Sequence, residues 1–134
     1  NFSLPAARRG ARVTGADADA DAIAAAARNA RRLGLDNAQF IAMKASETAA
    51  FLHRARYRPE IAILDPPRAG AAQLIAPLLK LRPRAIVYVS CDAATLARDL
   101  RGLTAGGYEM AGLRAFDFFP NTHHAEIAAH LVLT

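Results

Sequence analysis

Apolar residues in this chain follow two alternating rhythms. Short unbroken runs rich in Ile, Val, Ala and Leu read as strands, and longer stretches with apolar residues at every third or fourth position read as helices. Strands are expected over residues 11–16, 38–42, 60–64, 85–89, 108–116 and 125–133. Helices are expected over 19–33, 46–56, 71–80 and 93–105. The helix ends carry their own signals. Asp19 and Asp21 open one helix, Arg31 and Arg32 close it, and Gly34 follows, as the helix dipole and glycine C-caps favour. Ser46 is expected to cap the next helix, and Gly106-Gly107 to close the last. The opening segment, Asn1-Phe2-Ser3-Leu4-Pro5-Ala6-Ala7, reads as a helix already under way, with no strand before it.

Strands alternating with helices imply right-handed crossovers and a parallel sheet. The last two strands have only a loop between them, so the final strand should run antiparallel. The expected fold is therefore α/β and doubly wound, mostly parallel, with an antiparallel last strand. Such a domain needs a first strand and a glycine-rich turn ahead of its first helix. Both are expected upstream of residue 1. Residues 1–134 are then expected to form one partial catalytic domain whose sheet has an unpaired slot.

Composition narrows the picture. At 53% hydrophobic residues the chain can build a core, which excludes a disordered segment. No apolar run approaches the ~18 residues a membrane span needs. Cys91 is the single cysteine, so neither an internal disulfide nor a cysteine metal site is available, and a reducing cytoplasm is the expected location. His123 and His124 are adjacent, and on a strand would face opposite ways, so no metal site is expected. The net charge of +5 comes mostly from arginine. It belongs either to solvated faces or to a partner that carries phosphates.

In open α/β sheets, ligands bind beyond the carboxyl ends of the strands. Four acidic or nucleophilic residues are expected there. Asp17 follows the first strand, where an acid accepts hydrogen bonds from ribose hydroxyls; the plainer alternative is a helix-start role. Asp65 follows the third strand and precedes Pro66-Pro67-Arg68. Two prolines lack backbone donors and stiffen the turn. Cys91 falls between the strand ending at Val89 and the helix starting at Ala93. A lone cysteine is more often a small buried hydrophobe, but a helix N-terminus stabilises a thiolate. Glu126 starts the antiparallel strand and so returns to the same edge, as a partly buried acid suited to proton transfer. A thiol with a separate carboxylate, and no partnered histidine, suits addition to an electron-poor ring rather than hydrolysis.

Four segments resemble the RNA uracil-5-methyltransferase family, which methylates uridines in ribosomal and transfer RNA. Asn1-Phe2-Ser3-Leu4-Pro5 looks like the end of its cofactor-binding loop. Asp65-Pro66-Pro67-Arg68-Ala69-Gly70 looks like its Asp-Pro-Pro-Arg motif. The stretch from Val89 to Leu100 looks like its nucleophile motif, and the stretch from Phe116 to Glu126 its base motif. The resemblance implies a Rossmann-like class I methyltransferase that uses S-adenosylmethionine, with no metal in this chain. It implies cofactor or substrate-pocket contacts for Asn1, Asp17 and Asp65, a nucleophile at Cys91, and a base at Glu126. It further implies RNA as partner, with Arg68 and the arginine-rich faces holding phosphates. Three departures stand out: Asp92 in place of a frequent Asn, Asp17 in place of Glu, and no glycine-rich turn. Two alternatives remain. A class I enzyme acting on an exocyclic nitrogen needs no thiol, and Cys91→Ala separates it. A degenerate RNA-binding domain without activity would bind no cofactor.

Overall fold

The structure is a computed structural model that describes residues 1–118, 121 and 125–134. Its elements are α1 (Ser3–Arg8), β1 (Val13–Asp17), α2 (Ala20–Arg32), β2 (Ala38–Ala42), α3 (Ala45–Arg54), β3 (Ile61–Leu64), α4 (Ala72–Leu81), β4 (Ala85–Ser90), α5 (Ala93–Ala105), β5 (Tyr108–Phe116) and β6 (Glu126–Leu133). Residues 1–48 and 49–134 form two compact units. None of the described helices is long and apolar enough to cross a membrane.

In residues 1–48, β1 and β2 pair in parallel from Val13↔Ala38 to Asp17↔Ala42. The crossover between them is α2. Its N-cap is Asp19, whose side chain accepts the amides of Asp21 and Ala22. Leu33 ends the helix and Gly34 turns the chain at φ +65, a conformation glycine adopts at little steric cost. Asn37 ties α1 to this ribbon by donating at 2.8 Å to the carbonyls of Ala7 and Ala11. The helix α3 begins at Ala45, so Ser46 lies inside its first turn rather than at its cap. The first helical bond already runs from the Thr48 amide to the Lys44 carbonyl, at 2.9 Å.

Residues 49–134 hold a four-stranded sheet in the order β3-β4-β6-β5. β3 runs parallel to β4, and β6 runs antiparallel to both β4 and β5, as the missing crossover required. Alternation along β4 sends Ile86 and Tyr88 inward, where Ala129 and Leu131 of β6 share the same face. Leu74, Leu78 and Leu81 of α4 and Leu96 and Leu103 of α5 complete that core. Burial of each large aliphatic side chain here contributes about 1.5–3 kcal/mol. The buried Tyr108 hydroxyl donates to the Pro83 carbonyl at 2.7 Å. The opposite face is open at β3, where Ile61 and Ile63 are exposed. Among the described residues β1 pairs only with β2, and β3 only with β4.

Candidate active site

Three sequence-predicted residues of the larger unit leave the sheet at one edge. β3 ends at Leu64 and delivers Asp65, which is exposed. β4 ends at Ser90 and delivers Cys91, which is half-buried. β6 begins with Glu126, also half-buried. The β4–β6 ladder pairs Ser90 with Ile127. Cys91 and Glu126 are the next residues along the two strands beyond that pair.

The turn that carries Cys91 is pinned on both sides. Ser90 Oγ accepts the Asp92 amide at 3.1 Å and lies 2.9 Å from the Asp92 carbonyl, to which it donates. Asp92 is the N-cap of α5, and its carboxylate accepts the Thr95 amide at 2.8 Å. That bond, with the Thr95 hydroxyl, holds the Asp92 carboxyl below the usual carboxylate range. Asp92 therefore spends its charge on the helix cap. Cys91 lies just before α5, whose positive end favours negative charge nearby.

The Asp65–Gly70 turn sits against α5 through residues whose part the sequence reading missed. The Thr95 hydroxyl lies 3.0 Å from the Arg68 carbonyl and 3.0 Å from Asp92 Oδ1, with one proton to give. Arg98 Nη2 donates to the Ala69 carbonyl at 2.9 Å. Asp99, only 2% exposed, accepts the Ala71 amide and the Tyr88 hydroxyl on Oδ2, each at 2.6 Å. Its Oδ1 takes Arg98 Nε at 2.9 Å and Nη2 at 2.8 Å. Burial alone pushes the Asp99 carboxyl up, but the bonds from Tyr88, Ala71 and Arg98 outweigh it and leave it below the usual range. Arg68 is exposed, and its charge acts on Asp92. The available signal was the spacing of Asp92, Thr95 and Asp99, which puts three polar groups on one face of a helix.

Residues 1–48 hold the other two predicted residues. Asp17 ends β1, exposed, with Oδ1 accepting the Asp19 amide at 2.9 Å. Its backbone carbonyl accepts the Met43 amide at 2.8 Å. Asn1 is exposed and lines a groove of about 630 Å³ with Ser3, Arg8, Asn29 and Phe40 among others; Asp17 does not line it. His123 and His124, read as facing opposite ways, lie outside the described residues, as does the middle of the base motif.

A family model described as tRNA (uracil-5-)-methyltransferase matches residues 1–133. The chain is 42% identical over 129 residues to the 23S rRNA (uracil(1939)-C(5))-methyltransferase RlmD of Aeromonas salmonicida, covering 96% of this chain and 29% of that protein. It is 42% identical over 134 residues to the RlmD of Photobacterium angustum, covering all of this chain and 61% of that one. The crystal structure of the Pyrococcus abyssi tRNA (uracil-54, C5)-methyltransferase, in complex with S-adenosyl-L-homocysteine, superposes with a TM-score of 0.84 at 36% identity, over 98% of this chain and 31% of that one. Magnesium protoporphyrin IX methyltransferase from Synechocystis, with S-adenosylmethionine bound, shares the fold at TM-score 0.73 and 19% identity, over 99% of this chain and 64% of that one. The chain thus spans 29% and 61% of the two RlmD sequences.

Proposed function

The chain belongs to the tRNA (uracil-5-)-methyltransferase family, and we propose that it carries the catalytic part of an S-adenosylmethionine-dependent enzyme that methylates carbon 5 of a uridine in rRNA or tRNA. Its fold is that of a class I methyltransferase, α/β with one antiparallel strand. The observation that supports the reading is the β4–β6 register: its last pair, Ser90 with Ile127, leaves Cys91 and Glu126 as the next residues along the two strands, at the edge where Asp65 also emerges.

Carbon 5 of uracil is a weak nucleophile. In the proposed mechanism the Cys91 thiolate adds to carbon 6, and the electron pair moves through the ring to carbon 5. When bound, S-adenosylmethionine supplies an electrophilic methyl group on a sulfonium. Glu126 then takes the proton left on carbon 5, and the ring expels Cys91 as thiolate. The base has to leave its stack to meet a thiol in a turn of this kind. Arg68, in the same turn as Asp65, is assigned to the RNA.

The chain's donor set fits the cofactor. Asp17 presents an exposed carboxylate at a strand end, with one oxygen engaged by the Asp19 amide, a placement suited to ribose hydroxyls. By motif match, Asn1 and Asp17 in residues 1–48 and Asp65 in residues 49–134 are assigned to the cofactor or the substrate pocket. A role in modifying rRNA or tRNA agrees with the cytoplasmic location expected from the sequence.

The reading is tested by nucleoside mass analysis of rRNA and tRNA from cells lacking the protein. One 5-methyluridine should disappear from a single RNA class and return when the gene is restored. Unchanged 5-methyluridine in both classes would refute it.

A further inference from the structure

The Asp65–Gly70 turn is held largely by backbone groups and by a neighbouring helix among the described residues. Pro66 and Pro67 have no N–H to give, and within the turn the Gly70 amide donates to the Pro67 carbonyl at 2.8 Å. Two of its carbonyls, and the amide just beyond it, go to one helix. The Arg68 carbonyl faces Thr95, the Ala69 carbonyl takes Arg98, and the Ala71 amide just beyond gives to Asp99. That helix, α5, starts directly after the Cys91 turn, and its cap residue Asp92 is bonded to the same Thr95. The turn that presents Asp65 and Arg68 is therefore fastened to the element that presents the thiol.

Two side chains make this fastening specific. Asp99 is buried, yet both its oxygens are engaged. Arg98 bridges with one guanidinium, reaching Asp99 Oδ1 through Nε and Nη2 and the Ala69 carbonyl through Nη2. A planar fork does this; a lysine ammonium does not reproduce it. Packing around the bridge leaves no room for a side chain at Gly70. Its φ is +78, and an added Cβ would lie 2.5 Å from Arg98 Nη2 and 2.6 Å from Asp99 Oδ2.

We propose that Arg98 and Asp99 are positioning residues: a carboxylate–guanidinium pair that locks the Asp65–Gly70 turn to the Cys91 helix and thereby sets where the substrate lies relative to the thiol. This rests on the reading of Cys91 as nucleophile. A pair that served stability alone would affect folding and leave the rate per folded molecule untouched, so the two roles separate experimentally.

The experiment uses the intact protein, radiolabelled S-adenosylmethionine, and total RNA from cells lacking the protein. Arg98→Lys is the main variant, because the Arg98 side chain is 43% exposed and its replacement leaves the core intact; Asp99→Asn is the second. The expected result for Arg98→Lys is a kcat lower by about 10-fold or more, with KM for S-adenosylmethionine within about 2-fold and the thermal midpoint within about 4 °C of wild type. Amide exchange at Gly70 and Ala71 should quicken in both variants. Wild-type kcat in folded Arg98→Lys, or a loss explained by its unfolded fraction, would overturn the proposal while leaving the function standing. Absence of methyl transfer by the wild type would overturn the function reading, and this proposal with it.

Discussion

Replacing Tyr88 by Phe removes one buried hydroxyl and leaves the ring in place. The ring is fully buried, and the hydroxyl donates to Asp99 Oδ2 at 2.6 Å. A hydrogen bond to a charged acceptor contributes about 1.5–3 kcal/mol. Asp99 keeps the Ala71 amide and Arg98 in the variant, so the loss should fall near the lower end, at about 2 kcal/mol near pH 7. Its pH dependence has a definite sign. Burial first, then the bond to Asp99 and its charge, push the Tyr88 hydroxyl well above the ordinary tyrosine range. Such a group's contribution is fully present below the unfolded value of about 10 and is lost as pH rises from there through the folded value. The wild type should lose about 1.4 kcal/mol per pH unit from this residue in that window, and the variant none. Its advantage should therefore vanish near pH 11.5. On the acid side, the Asp99 carboxyl is held low, so its stabilisation is present above the unfolded value of about 4 and lost as pH falls through the folded value. The gap between the two proteins should narrow there as well. Urea unfolding followed by circular dichroism across this pH range measures the gap. A gap below about 0.5 kcal/mol at pH 7, or one that persists unchanged at pH 11.5, would refute the reasoning.

Other outcomes follow from single contacts. Asp19→Ala should cost about 1 kcal/mol of stability, because α2 loses the cap on the Asp21 and Ala22 amides; Asp19→Asn should restore most of it, and an Ala variant as stable as wild type would contradict the cap assignment. Glu126→Gln should leave the covalent Cys91–RNA complex able to form but slow to resolve, so denaturing gels should show it accumulating. Normal turnover in Glu126→Gln would place the base elsewhere.

Much of the fold was legible because each element carries its own period. The strand at 38–42 and the helix at 93–105 lie where their patterns placed them, and the lack of a helix between β5 and β6 announced the antiparallel strand. The Ser46 cap was misread because a serine near a helix start looks alike whether it caps or lies within the first turn. The exposure of Ile61 and Ile63 was hidden, since an apolar run states that a strand can be buried on both faces and not that something covers both. The positions of Asp65, Cys91 and Glu126 at strand ends were readable from the sequence. The fastening by Arg98 and Asp99 was not, because it joins groups 28 and 29 positions apart. Only the paired placement of α5 and the turn shows what the polar stripe on that helix faces.

The central claim is that Cys91 attacks the ring. RNA carrying 5-fluorouridine tests it most directly, since fluorine at carbon 5 leaves no proton for Glu126 to remove and the adduct cannot resolve. The intact wild-type protein, with S-adenosylmethionine, should form a denaturation-resistant complex with this RNA, and mass spectrometry should map the thioether to Cys91. Cys91→Ala should form none. A complex that forms equally well in Cys91→Ala, or a methylated product released by that variant at the wild-type rate, would contradict the account.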